Sequence, residues 1–117
     1  MDATWWGLLV NECRMRLIRN DAWSGSRISG TGNNAMCSTT RCNNLRNTSS
    51  TNNYPYGSPE IIVIMCGIND INGNVSLGTI DDTGTDTYMG AFKTMLQRIK
   101  TTCGNAKVVV FQLYSGN

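Results

Sequence analysis

The sequence predicts an α/β layer fold built on a parallel sheet, and three observations carry that prediction. Residues 61–66 and 107–113 are apolar and β-branched almost throughout. That is the pattern of a strand covered on both faces, as parallel strands are. Between them, residues 86–102 repeat apolar side chains at helical spacing. Finally, the elements alternate as helix, strand, long loop, strand, helix, strand, the order of a parallel sheet sandwiched in three layers.

The first helix is expected over 4–13. Asp2 or Thr4 can cap it, and Trp6, Leu9, Val10 and Cys13 then share one face. Gly7 costs such a helix about 1 kcal/mol, so its role is close packing. Met15–Asn20 is too short for another helix and suits a strand. It ends in the turn formers of Asp21-Ala22-Trp23-Ser24-Gly25-Ser26. Residues 29–58 read as a long polar loop, because 20 of these 30 residues are Asn, Ser, Thr or Gly. Loops beyond about 15 residues are uncommon in compact domains and are usually functional or disordered; a variable insertion without a role is the alternative. The strand at 61–66 closes in the polar turn Gly67-Ile68-Asn69-Asp70, and a second polar loop spans 71–85. The helix at 86–102 is capped by Thr85 or Asp86. Its stripe is Tyr88, Phe92, Met95, Leu96 and Ile99, and Gly104 stops it.

Composition excludes several function classes. The chain has 117 residues, a single-domain length, with net charge +2 and no histidine. Ten basic residues against eight acidic ones make no footprint for nucleic acid. No apolar run reaches the roughly 18 residues that would span a membrane, and residues 1–4 lack the start of a signal peptide. Without histidine, neither a Ser-His-Asp nor a Cys-His system can be assembled from this chain alone, and a His-containing zinc site is excluded. Of five cysteines, Cys66 reads as a small buried hydrophobe. Cys37 and Cys42 either pair as a loop disulfide or stay free thiols.

Candidate chemistry sits in two turns that follow strands. In a parallel sheet both lie at the carboxyl edge, where α/β ligand sites form. One turn offers backbone N–H groups around Gly25; the other offers the Asn69 carboxamide. Neutral donors of these two kinds build an oxyanion hole, although Asn-Asp after Gly is also an ordinary turn.

The motif order narrows this choice. Residues 61–70, IIVIMCGIND, resemble the G-x-N-D block of the SGNH (GDSL-type) esterase and lipase family of acylhydrolases. NDAWSGS at 20–26 is similar to that family's second block. TWWGLL at 4–9 looks like the helix after its first block, and TYMGAFKTMLQRIK at 87–100 followed by AKVVVFQL resembles its next helix and strand. The resemblance implies a flavodoxin-like, three-layer parallel sheet, here a partial SGNH-hydrolase fold over residues 1–117. It implies Gly25 N–H and the Asn69 side chain as oxyanion donors, Gly67 as the glycine allowing close approach, and Asp70 as a shaper of the turn, not a base. The family's Gly-Asp-Ser nucleophile motif and its Asp-x-x-His motif are both absent. The family's first strand is expected before Thr4, and its last strand and helix after Asn117. A fragment is therefore expected in preference to a natural short pseudoenzyme. The family's central strand would be among the missing segments, and unpaired apolar edges invite self-association.

Other residues carry weaker readings. Ser24 lies beside Gly25, but no histidine exists to activate it. Trp5, Trp6 and Trp23 can stack on carbohydrate or fill a core. Asp81, Asp82 and Asp86 lack the spacing of a calcium loop. Two functions follow. The first is a carboxylic-ester hydrolase acting on a small ester or acylated carbohydrate, needing no cofactor and inactive as this chain alone. The alternative is a non-catalytic module of the same fold that binds a glycan or a protein.

Overall fold

A computed structural model describes residues 4–46, 48 and 57–112. Six elements follow in chain order: helix Trp5–Glu12 (α1), helix Thr39–Asn43 (α2), strand Ile61–Cys66 (β1), helix Ile68–Asn72 (α3), helix Tyr88–Thr102 (α4) and strand Lys107–Gln112 (β2). β1 and β2 pair in parallel, in register from Ile61 with Lys107 to Cys66 with Gln112. The connection between them runs through α3 and α4, as a parallel pair requires a crossover. This is an α/β architecture on a parallel sheet.

The core lies on one face of that sheet. Ile62, Ile64 and Cys66 point inward from β1 and join Tyr88, Ala91, Met95 and Ile99 of α4 in a single cluster. Tyr88 also stacks on Phe92, with ring centroids 6.2 Å apart. The stripe expected on α4 is therefore the one used, with Phe92 and Leu96 half-buried at its margin. The helix starts later than Thr85 or Asp86 would place it, because Thr87 is the N-cap and its hydroxyl accepts the Gly90 N–H at 3.2 Å. Asp82 holds that cap in place. One carboxylate oxygen accepts the Thr87 hydroxyl at 2.7 Å and the Thr79 N–H at 3.0 Å.

These bonds, the Thr87 hydroxyl first, hold the Asp82 carboxyl below the usual aspartate range. A carboxyl with a lowered folded pKa stabilises the fold fully above its unfolded value, about 3.9, and loses that contribution as pH falls through the folded value. Asp82→Asn is thus expected to melt below the parent at pH 7, with the two melting temperatures converging toward pH 2. Thermal unfolding followed by circular dichroism measures the gap. A gap independent of pH would refute a role for the charge.

Three expectations meet corrections. Residues 15–20 form no strand, although the side chains suit one. A strand exists only when its N–H and C=O groups find a ladder, and among the described residues β1 pairs with β2 alone. The two strands are covered on one face, not both. Ile61, Met65, Val109 and Phe111 are each 44–51% exposed on the other. The stripe of α1 is also only partly used. Thr4 caps the helix through Gly7 N–H, and Gly7 is buried, but Trp6, Leu9 and Val10 are half-buried and Cys13 is exposed. A two-stranded sheet leaves little surface for such a stripe to cover.

The segment 29–58 differs most from a polar loop. It contains α2, capped by the Ser38 hydroxyl, and α2 packs against α4. Ile28, Ala35, Cys37 and Cys42 enter the main core from it and its border. Arg98 of α4 donates to the Cys37 carbonyl, and Thr102 donates to the Asn43 side chain at 3.1 Å. Among its described residues, Ser29, Arg41 and Asn43 bond groups outside the segment; residues 47 and 49–56 lie outside the described residues. Cys37 and Cys42 are free thiols, donating to the Gly30 and Met36 carbonyls.

Candidate active site

Two glycines set the backbone of the site. β1 ends at Gly67, whose φ of 110° no L side chain adopts comfortably. The chain reverses there into α3, which places Asn69 and Asp70 in the first turn. Gly25, with φ of 77°, makes the tight turn Trp23–Ser26, closed by the Ser26 N–H donating to the Trp23 carbonyl at 3.2 Å. Ser24 and Gly25 are exposed at its tip.

The structure brings these two turns together. The Asn69 Nδ2 donates to the Ser26 carbonyl at 2.8 Å, which sets the carboxamide one residue from Gly25. Asp70 is fully buried. Its Oδ2 accepts the Ile28 N–H at 2.9 Å, and its Oδ1 accepts the Ser29 N–H at 3.1 Å and the Ser29 hydroxyl at 2.7 Å. The two adjacent side chains therefore clamp residues 26–29 against α3. Both oxygens of the Asp70 carboxylate are thus engaged by donors from residues 28 and 29.

A residue that the sequence pattern concealed completes the site's frame. Arg41 of α2 is 5% exposed. Its Nε bonds Asp21 Oδ2 at 2.8 Å and its Nη2 the Asp21 carbonyl at 2.6 Å. Its Nη1 reaches the Ser26 Oγ at 2.9 Å and the Asn34 carbonyl at 3.0 Å. The guanidinium also lies 4.2 Å from the centre of the Trp23 ring. Nothing marks Arg41 in an Asn/Ser/Thr-rich run; the Ser38 cap three residues earlier is the one local signal that a helix begins there.

The four buried thiols offer no nucleophile. Burial pushes Cys37, Cys66 and Cys103 up from the ordinary thiol value, and Cys42 up to about 11, so all four stay protonated near neutrality. Cys66 lies 3.6 Å from the Tyr88 hydroxyl, inside the core. No group of three His, Cys, Asp or Glu side chains among the described residues is placed to hold a metal ion, and no described helix is long and apolar enough to cross a membrane. The exposed Gly25 turn thus sits beside Asn69 and Asp70, whose side chains bond residues 26, 28 and 29.

Comparison with known proteins bears out the family resemblance and the fold. No curated protein matches the chain. A solved structure assigned as a GDSL-like lipase, from Bacteroides ovatus ATCC 8483, superposes with a TM-score of 0.70 at 23% identity, over 92% of this chain and 51% of that one. A second solved structure superposes with a TM-score of 0.56 at 23% identity, over 74% of this chain and 35% of that one. The chain thus spans about half the length, or less, of the solved structures it matches. These likenesses show the fold, a partial SGNH-hydrolase α/β fold on a parallel sheet. The model of the GDSL-like lipase/acylhydrolase family matches residues 1–114, nearly the whole sequence, and the chain belongs to that family.

Proposed function

We propose that the chain forms the oxyanion-binding part of a carboxylic-ester hydrolase that works through a serine acyl-enzyme. The observation that carries this reading is the Asn69 carboxamide held against the Gly25 turn, 2.8 Å from the Ser26 carbonyl. A carboxamide has two N–H bonds. One is spent on Ser26 and fixes the side chain's direction. The other has no hydrogen-bond partner among the described residues and can donate to a ligand. The exposed Gly25 N–H lies in the neighbouring turn.

In the proposed reaction a serine Oγ attacks the ester carbonyl while a histidine takes its proton. The carbonyl π pair moves onto oxygen, and the resulting oxyanion accepts from Gly25 N–H, Asn69 Nδ2–H and the serine N–H. Collapse expels the alcohol, which leaves with the proton from histidine. Water then attacks the acyl-enzyme by the same steps and releases the acid. The serine and histidine come from Gly-Asp-Ser and Asp-x-x-His segments of further polypeptide. Gly67 and Asp70 hold the base of the site, and Ser24 shapes the turn. The substrate is a small ester or an acylated carbohydrate, and no cofactor takes part.

The test is Asn69→Ala in a polypeptide that also carries those two segments. With p-nitrophenyl acetate, kcat is expected to fall about 10²–10³-fold, the usual cost of one oxyanion donor, with KM nearly unchanged. A kcat within about threefold of the parent would remove Asn69 from this role. The alternative, a non-catalytic glycan- or protein-binding module, draws on Trp5 and Trp23, which are 46% and 42% exposed. Retention of a glycan without hydrolysis by the same polypeptide would favour it.

A further inference from the structure

We infer that Arg41 is a positioning residue for the Gly25 turn, a role that deepens the proposed oxyanion site and takes its functional meaning from it. Arg41 comes from the polar segment, not from either turn, yet it binds the Gly25 turn from three sides. Asp21 before the turn is held through both its carboxylate and its backbone carbonyl, at 2.8 Å and 2.6 Å. Ser26 after the turn is held through its hydroxyl at 2.9 Å. Trp23 within the turn lies against the guanidinium plane at 4.2 Å. The fourth bond, to the Asn34 carbonyl at 3.0 Å, ties the guanidinium back to its own segment.

Three features make this a placement device and not a surface ion pair. First, the Arg41 and Asp21 side chains are only 6% and 8% exposed. Water screens such a pair poorly, and although Arg19 also lies 3.5 Å from Asp21 Oδ1, removal of the Asp21 charge leaves the buried guanidinium without its counterpart. Second, the planar fork meets four acceptors at once, which a lysine ammonium on a flexible stem cannot copy. Third, Ser24 and Gly25 are exposed, and besides Arg41 the turn is held by its own 3.2 Å closure and by the Asn69 bond to the Ser26 carbonyl. Asn69 binds the Ser26 carbonyl from the α3 side while Arg41 binds the Ser26 hydroxyl from the α2 side. Residue 26 is thereby held from both sides, and with Asp21 and Trp23 held by the same guanidinium both flanks of the turn that carries the Gly25 N–H are tethered. The segment 29–58 then has a use: it carries the arginine that sets the turn, and α4 anchors that segment through Arg98 and Thr102.

The experiment is amide hydrogen exchange on the 15N-labelled chain, comparing the parent with Arg41→Lys and Asp21→Asn. Both variants keep a bulky side chain at the site, and Asp21→Asn keeps the backbone carbonyl that Arg41 also binds. Exchange at the Ser26 amide is expected to accelerate about tenfold or more in Arg41→Lys, and by less in Asp21→Asn, as local opening becomes easier. The Ile28 and Ser29 amides held by Asp70, and the Cys103 amide at the end of α4, are expected to stay within about twofold. Unchanged Ser26 exchange would overturn the inference. So would equal acceleration at Ser26, Ile28 and Cys103, which would make Arg41 a general support of the core. If Arg41→Lys does not fold, Asp21→Asn and Ser26→Ala decide between the same outcomes.

A second measurement addresses the reaction. In the polypeptide carrying the nucleophile and histidine segments, Arg41→Lys is expected to lower kcat about tenfold with KM nearly unchanged, since a misplaced group costs the chemical step. A raised KM with intact kcat would count against positioning of the oxyanion donor. If the parent polypeptide hydrolyses no ester, the esterase reading fails, while the exchange result still decides whether Arg41 holds the turn.

Discussion

Joined to polypeptide segments bearing Gly-Asp-Ser and Asp-x-x-His, the chain is expected to hydrolyse p-nitrophenyl acetate, whereas the chain alone is expected to show no turnover above background. The sequence contains no histidine and no Gly-Asp-Ser. Loss of a triad serine or histidine costs on the order of 10⁶ in kcat, so oxyanion donors without a nucleophile leave nothing to observe. The joining has a second expected effect. Ile61, Met65, Val109 and Phe111 leave one sheet face apolar and exposed, and β1 has one edge without a strand partner among the described residues. Such a surface favours association. We propose that the chain alone self-associates and that the joined polypeptide is monomeric; light scattering after size exclusion reads this directly. A folded joined polypeptide that leaves small acyl esters untouched would sink the esterase reading. A chain that turns them over alone would sink the division of labour between segments.

The elements that could be read from the sequence are those whose pattern is local. β1 and β2 are continuous apolar runs, and α4 repeats its stripe at 88, 92, 95, 96 and 99, so each carries its own signal. The G-x-N-D turn was legible because Gly67 and Asn69 sit in a short fixed spacing. Elements that depend on distant partners were not. Residues 15–20 have the side chains of a strand, but pairing is a property of two segments, and propensity does not supply the second. β1 reads as buried on both faces because apolar content reports what a face can bury, not what covers it.

The polar segment shows the opposite failure. Its 20 small or polar residues suggest solvent, but Cys37, Ser38, Arg41 and Cys42 are buried. The burial of Arg41 and of the Cys37 carbonyl is made tolerable by bonds to Asp21, Ser26 and Arg98, residues 15 or more positions away. A buried polar group is stable only when paired, and no periodicity announces such a pairing. Arg41 was therefore invisible in the sequence, and Asp70 was visible as a turn residue but not as the anchor of residues 28 and 29.

Asp70→Ala is expected to destabilise the chain by about 4 kcal/mol, a large share of the roughly 5–15 kcal/mol that holds a typical domain folded. The argument rests on what the substitution leaves behind. Three donors, the Ile28 N–H, the Ser29 N–H and the Ser29 hydroxyl, converge on this carboxylate. Each buried donor left without a partner costs about 1–3 kcal/mol. Water entering the vacated space repays part of that sum, which places the expected loss toward the lower end of the roughly 3–9 kcal/mol that three such donors add up to. Asp70→Asn retains the shape but replaces one acceptor oxygen with an NH₂ group that meets N–H donors head-on, so a loss of about 2–3 kcal/mol is expected. Asn69→Ala, one residue away, gives up a single neutral bond to the Ser26 carbonyl and is expected to cost about 1 kcal/mol. Urea unfolding of the three variants separates these cases, with midpoints in the order Asn69→Ala above Asp70→Asn above Asp70→Ala and unchanged slopes. Equal midpoints for Asn69→Ala and Asp70→Ala would mean that residues 26–29 are held by something other than the Asp70 carboxylate. The expected order instead assigns the two neighbours different work. Asp70 fixes residues 28 and 29 to α3 and so holds the fold; Asn69 spends little on stability, which leaves one N–H for the oxyanion role we propose for it.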